Sequence, residues 1–176
     1  FVTQSGHIVT NAHVVSGAQG LYVRTLEDGK YRAEVIDTNE RLDIALIRLV
    51  TNKKNFPAVK IGNSDKVKKG ESILMIGNPL GIDYKHTVLT GIISGFNRHE
   101  GAMQLSIPSY PGSSGSPVFD RKGRVVGVMK ARALTEKSKI VEVEKKAVML
   151  TTHEAVENIG LIIPINYVRP MLEMVR

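Results

Sequence analysis

Three short segments of this chain carry residue types that together can move a proton and form a covalent bond. They are Thr10-Asn11-Ala12-His13-Val14-Val15, Asp43-Ile44-Ala45-Leu46-Ile47 and Pro111-Gly112-Ser113-Ser114-Gly115-Ser116-Pro117. A serine hydroxyl is a weak nucleophile near neutral pH. Its attack on a carbonyl therefore needs a neutral imidazole to take the proton and a carboxylate to hold that imidazole in the correct tautomer. His13 suits the base, Asp43 the orienting acid and Ser114 the nucleophile. The glycines beside Ser114 answer a second demand of acyl transfer, backbone N–H groups turned toward a developing oxyanion, because that turn is sterically easiest without a side chain. Singly, each segment has a plain explanation as a packed histidine, a strand-starting acid or a flexible Gly-Ser loop. Their joint occurrence in the order His, Asp, Ser, each within strand-forming sequence, is what carries the expectation.

Those groups must be positioned by strands. Short β-branched runs closed by Gly, Pro, Asn or Asp recur at 7–10, 21–26, 31–37, 43–49, 72–77, 87–96, 103–107, 116–120, 125–130 and 160–165, the spacing of an all-β barrel or sandwich. Asp28-Gly29 and Arg121-Lys122-Gly123 supply hairpin turn chemistry. Val168, Met171, Leu172 and Val175 follow one helical face, which predicts a C-terminal helix with Asn166 as its cap and Pro170 restricting the first turn. The loop 50–65 separates two halves of similar size, a first barrel over about 1–60 and a second over about 66–165, with the helix at about 166–176. The stretch 132–158 is polar and charged and reads as an inserted loop, with Thr151-Thr152-His153-Glu154 able to cap a short helix. The chain opens on the apolar pair Phe1-Val2, already inside a strand-like run, which suggests that a segment precedes it.

Composition narrows the function classes. With 176 residues and 42% hydrophobic content the chain can bury a core, and it holds no run of roughly 18 apolar residues that would span a membrane. It has no cysteine, so it builds neither disulfides nor thiolate metal sites. The net charge of +7 is spread over small clusters such as Lys53-Lys54 and Lys145-Lys146, and aromatics make up only 5% without interleaving them, which argues against nucleic acid as a partner. The 5 histidines form no metal-ligand spacing, and 62–70 lacks the Lys-Ser or Lys-Thr of a phosphate loop, so no metal and no cofactor is expected.

Chain order discriminates further. An α/β-hydrolase elbow needs Gly-x-Ser-x-Gly with the histidine last, whereas here Ser116 stands at the second glycine position and His13 comes first. The order found is that of the chymotrypsin arrangement on a β-barrel scaffold. At these residues the chain resembles the protease domain of the HtrA (Deg) family of trypsin-like serine proteases. The resemblance runs through 10–15, 43–49, Ile-Gly-Asn-Pro-Leu-Gly at 76–81, Thr-Val-Leu-Thr-Gly-Ile-Ile-Ser at 87–94, 112–117 and 160–164, nearly the whole chain.

The resemblance implies two six-stranded antiparallel β-barrels of the chymotrypsin/trypsin type with a C-terminal helix, and an active site between them. By it, the backbone N–H groups of Gly112 and Ser114, together with Ser113, form the oxyanion hole, and Pro108, Ser109, Lys130, Gly160 and Ile162 match the substrate pocket. No acid stands among those positions, so cleavage after Val, Ala or Leu is expected rather than after Lys or Arg; a preference for acidic residues would point to Lys130 or Arg132 in the pocket. It further implies a serine endopeptidase of protein quality control, with unfolded polypeptides as substrates, assembly as a homo-trimer, and an extracytoplasmic location such as the periplasm or cell envelope. A departure lies at the nucleophile, where Gly-Ser-Ser-Gly-Ser-Pro replaces the usual Gly-Asn-Ser-Gly-Gly-Pro, keeping the serine but changing the hydrogen bonding around it. Ser113 cannot make the ion pair with a newly cut N-terminus that activates digestive relatives, so regulation is expected from loops or assembly. The alternative is a peptide-binding or chaperone-like module that holds extended segments by β-addition with the protease site at rest. The segment 132–158 is then expected to act as a regulatory loop beside the site.

Overall fold

The computed structural model describes residues 1–26, 29–79, 86–97, 101–143 and 146–175, and within 131–158 it describes backbone pairing only. Asp28 and the Leu80-Gly81 end of the Ile-Gly-Asn-Pro-Leu-Gly motif lie outside the described residues.

The first half is a curled four-stranded sheet of β1 (His7–Thr10), β2 (Leu21–Thr25), β3 (Gly29–Asn39) and β4 (Ile44–Leu49), in the order β1-β4-β3-β2. All its pairings are antiparallel. β4 explains how this sheet is seated. Its run Ile44-Ala45-Leu46-Ile47 is buried throughout because both of its faces are covered. Ala45, Ile47 and Leu49 join Val15, Ala33 and Phe56 in the core of the first half. Ile44 and Leu46 pack instead on Val125, Val128, Ile163, Ile165 and Met171 of the second half. One strand thus welds the two halves, and Asp43 immediately precedes it.

The second half is a seven-stranded sheet of β5 (Lys60–Ile61), β6 (Ser72–Gly77), β7 (Thr87–Asn97), β8 (Ala102–Leu105), β9 (Pro117–Phe119), β10 (Arg124–Val143) and β11 (Lys146–Pro164), ordered β11-β8-β7-β6-β9-β10-β5. Pairing of β11 with β10 closes six of these strands into a barrel, and β5 adds to β10 in parallel outside it. Ile73, Met75, Ile93, Leu105, Val118 and Ile162 are among the side chains that fill the interior. The two expected barrels therefore take the form of one closed six-stranded barrel and one half-barrel.

Two elements differ from the sequence expectation. The stretch 132–158 is not an irregular loop with a capped helix: it forms the arms of a long antiparallel hairpin, paired from Arg132 with Gly160 out to Val143 with Lys146. Thr151, Thr152, His153 and Glu154 are strand residues opposite Ser138, Lys137, Glu136 and Thr135. The physical reason is that Thr135, Ile140, Val141, Val143, Val148, Thr151 and Thr152 favour extended backbone, and two such arms satisfy each other's N–H and C=O groups. At the C-terminus the helix is shorter than expected. A 3-10 turn over Ile165–Val168 leads into α2 (Arg169–Glu173), which has Pro170 in its first turn. Asn166 lies inside the 3-10 turn rather than at a helix cap, and its side chain donates to Asn63 Oδ1 (2.8 Å) and accepts from Arg169 Nε (2.9 Å), tying the end of the chain to the connection between the halves.

Candidate active site

His13 rides on α1 (Ala12–Val15), one turn of helix that follows β1 and seats itself through buried Ala12 and Val15. Its backbone N–H donates to Asp43 Oδ1 (3.0 Å), and its Nδ1 lies 2.9 Å from both Asp43 Oδ1 and Oδ2. A nitrogen held against a carboxylate keeps its proton, so in the neutral ring Nε2 carries the free lone pair. The Asp43 side chain is 14% exposed and the imidazole 51%, so the carboxylate is screened while the base stays open to a reactant.

Asp43 itself is held on strained backbone. Its φ of 57° lies in the left-handed region, a conformation that costs a non-glycine residue on the order of 1 kcal/mol. Two bonds hold it there: its N–H donates to the Glu40 carbonyl (3.2 Å), and its own carbonyl accepts from Asn11 Nδ2 (3.0 Å). Asn11 is fully buried and was not singled out from sequence for any role. The available signal was an amide in an apolar run two residues before the base, since a buried amide must find partners.

Ser114 sits on the turn before β9. Gly112 and Gly115 flank it at φ of 89° and 82°, so glycine is required on both sides. The turn is pinned to the barrel, with Gly115 N–H donating to the Met129 carbonyl (2.9 Å) and Met129 N–H to the Ser116 carbonyl (2.8 Å). It also touches the first half, because a Cβ on Gly115 would come 2.8 Å from Thr10 Oγ1 at the end of β1. A cleft of about 370 Å³ runs between the halves, lined by Thr10, Val14 and Val15 on one side and Gly112, Ser114 and Gly115 on the other. The Ser114 hydroxyl donates to the Lys130 carbonyl (3.2 Å), and among the described residues no hydrogen bond joins it to His13.

Of the expected oxyanion donors, Ser113 is committed elsewhere: its N–H donates to the Tyr110 carbonyl (3.0 Å) and its fully buried side chain accepts from the Tyr110 N–H (3.3 Å). Of the other two expected donors, Gly112 and Ser114, neither N–H donates to a backbone carbonyl among the described residues. Among the expected pocket residues, Pro108 and Ser109 are half-buried at the approach to the Ser114 turn, and Lys130 borders Ser114 through its carbonyl. Gly160 is buried. Ile162 is wholly buried in the barrel core, where β11 alternation turns it inward against Gly127.

The chain matches the family model of the trypsin-like peptidase domain over residues 1–128. It belongs to the trypsin-like peptidases. Within them it falls in the HtrA (Deg) branch. It is 38% identical over 133 residues to a probable periplasmic serine endoprotease, DegP-like, of Pseudomonas putida strain F1, covering 72% of this chain and 27% of that relative. A DegP-like relative of Marinomonas sp. strain MWYL1 is 37% identical over 133 residues, covering 72% of this chain and 28% of the relative. The chain thus spans about a quarter of the length of the curated relatives it matches. Among solved structures, the HtrA-type protease AlgW with a decapeptide superposes with a TM-score of 0.76 at 26% identity, covering 98% of this chain and 49% of that one. As a trypsin-like peptidase, the chain carries its histidine and aspartate on the half-barrel and its serine on the closed barrel.

Proposed function

We propose that this chain is a serine endopeptidase domain that hydrolyses peptide bonds in unfolded polypeptides, with Ser114 as nucleophile, His13 as general base and acid, and Asp43 as the orienting carboxylate. The observation that carries it is the His13–Asp43 pair, with His13 on the helical turn whose Val14 and Val15 line the cleft that Ser114 also lines. In this reading an extended peptide pairs with β10 at Lys130, and its N–H takes the carbonyl that the Ser114 hydroxyl occupies in the free site. The freed hydroxyl turns to His13 Nε2, which takes its proton as Oγ bonds the scissile carbonyl carbon. The negative charge moves to the carbonyl oxygen, stabilised by the Gly112 and Ser114 N–H groups. As the C–N bond breaks, the imidazolium returns the proton to the departing amine, leaving an acyl-Ser114. Water, deprotonated by His13, releases the acid by the same steps in reverse.

The family supports finer proposals. The substrates are polypeptides, the working form is a homo-oligomer and specifically a trimer, and the location is extracytoplasmic, as the relatives named periplasmic suggest. No helix among the described residues is long and apolar enough to cross a membrane. The hairpin arms over 132–158 continue β10 and β11 beyond the site, and we assign them a regulatory or subunit-contacting role.

Casein hydrolysis tests the activity. Ser114→Ala deletes one hydroxyl from a turn held by its neighbours, so the fold should persist while turnover falls by about a millionfold. A variant that kept more than a few per cent of the parent rate would remove the assignment.

A further inference from the structure

The edge of β10 that faces the Ser114 turn is occupied as far as Lys130 and no farther. Val128 pairs with Pro117 of β9. Met129 bonds the turn itself, its N–H donating to the Ser116 carbonyl and its carbonyl accepting from the Gly115 N–H. Strict alternation would turn the next residue toward β11. Instead the register with β11 slips between Met129 and Ala131, an extra residue on β10, and the Lys130 carbonyl also faces the turn, where it accepts from the Ser114 hydroxyl. Beyond it, from Ala131 to Val143, β10 pairs with β11 alone among the described residues. The second register shift, between Arg132 and Leu134, is taken up on β11, which passes from Gly160 to Ala155 over the same step. β10 therefore stays in phase, and alternate residues outward from Lys130, among them Arg132, Leu134 and Glu136, present N–H and C=O groups to the edge in line with the nucleophile. No proline interrupts 131–143, so every donor of that edge is in place.

The arms also lack a third strand. A two-stranded ribbon is only marginally stable in water by itself, and the stretch from Lys130 to Val143 extends about 40 Å at roughly 3.3 Å per residue. In the proposed mechanism the residue before the scissile bond places its N–H on the Lys130 carbonyl, while β9 and the serine turn fill the edge behind it. The residues N-terminal to it then have one direction in which to pair, outward and antiparallel along the arm.

We propose that the β10 arm is a track for the substrate, adding the segment N-terminal to the scissile bond as a third strand over about a dozen residues. The proposal rests on the Ser114 reading and gives the regulatory role of the arms its chemistry. Main-chain pairing selects length and extended backbone rather than side chains. An unfolded polypeptide supplies both, and a short peptide or a folded loop does not.

The test is a set of peptides with one cleavage site and one C-terminal side, carrying three, six, nine or twelve residues N-terminal to the scissile bond. In the parent, kcat/KM should rise at least about tenfold from the shortest to the longest, because several main-chain bonds of small net worth add along the arm. Replacing 133–157 with a short Gly-Ser bridge should remove the gain while leaving the shortest peptide near its parent rate. Replacing only 136–153 should stop the gain at about six residues, since pairing then ends at Thr135. A third measurement needs no variant: N-methylation of the fifth, seventh and ninth residues counted back from the scissile bond should abolish the gain, and methylation of the sixth, eighth and tenth should spare it. A parent indifferent to length, a gain that survives the 133–157 replacement, or equal effects of the two methylated sets overturns the proposal. Equal loss for short and long peptides, with a changed oligomer size, assigns the arms to subunit contact instead and overturns it too. Labelling by a fluorophosphonate probe separates the levels: label on Ser114 without length dependence sinks the track alone, and absence of label sinks it together with the peptidase reading.

Discussion

The half-barrel and the closed barrel prepare their shares of the site to different degrees. On the half-barrel His13 and the Asp43 carboxylate are already assembled, through three contacts between them and the Asn11 amide that fixes the Asp43 carbonyl. On the closed barrel the backbone of the serine turn is equally well held, yet the Ser114 hydroxyl is turned to the Lys130 carbonyl. Each half has thus organised itself with its own hydrogen bonds, and the bond left to form is the one that crosses between them. In the proposed mechanism, proton transfer from Ser114 to His13 is then the step that substrate binding would govern, because a peptide N–H would compete for the same Lys130 carbonyl.

Among changes that leave the Ser114 hydroxyl in place, breaking the half-barrel side should have the largest effect. Asp43→Asn keeps the size of the side chain but presents an amide to His13 Nδ1, which favours the tautomer that leaves Nε2 protonated; kcat should fall about 10⁴-fold with little change in the melting transition. A loss under tenfold in a rate assay would mean that the carboxylate contacts do not set the tautomer. Breaking the closed-barrel side should cost less. Gly115→Ala puts a Cβ against Thr10 Oγ1 on backbone at φ 82°, so the turn must shift. A displacement of the nucleophile by about 1 Å is worth roughly 10²-fold in kcat/KM. Stability should also drop, by on the order of 1–2 kcal/mol in urea unfolding. The smallest effect should come from the hairpin. Replacing 133–157 with a short Gly-Ser bridge should change kcat/KM about tenfold, about 1.4 kcal/mol, if the arms gate the site. Parent-like activity, peptide preference and oligomer size together would make them decoration.

What could be read from the sequence followed from how local the cause was. The strand runs were legible because period-two burial and turn glycines act over a few residues, and β1, β4 and β6 lie where their apolar runs stand. The residues proposed as a triad stood out in the sequence because the chemistry demands their types. The two-residue β5 was not, since Lys60–Ile61 is a strand only by pairing with Arg124 and Val125 far along the chain. The 132–158 hairpin was misread because its charges looked like a solvated loop, while the pairing that makes it a strand is reciprocal between its arms. The bond from the Ser113 N–H to the Tyr110 carbonyl was not legible, because it depends on the curl of the turn, which residue type does not reveal.

The claim that Ser114 and His13 join into one unit across the two halves is tested most directly by covalent labelling. The protein is treated with a fluorophosphonate probe, with and without an unfolded polypeptide, and digested for peptide mass spectrometry beside His13→Ala. The account predicts an adduct on Ser114, faster in the presence of the polypeptide, and its near-complete loss in His13→Ala. An adduct on another residue, or equal labelling of Ser114 with and without His13, would contradict it.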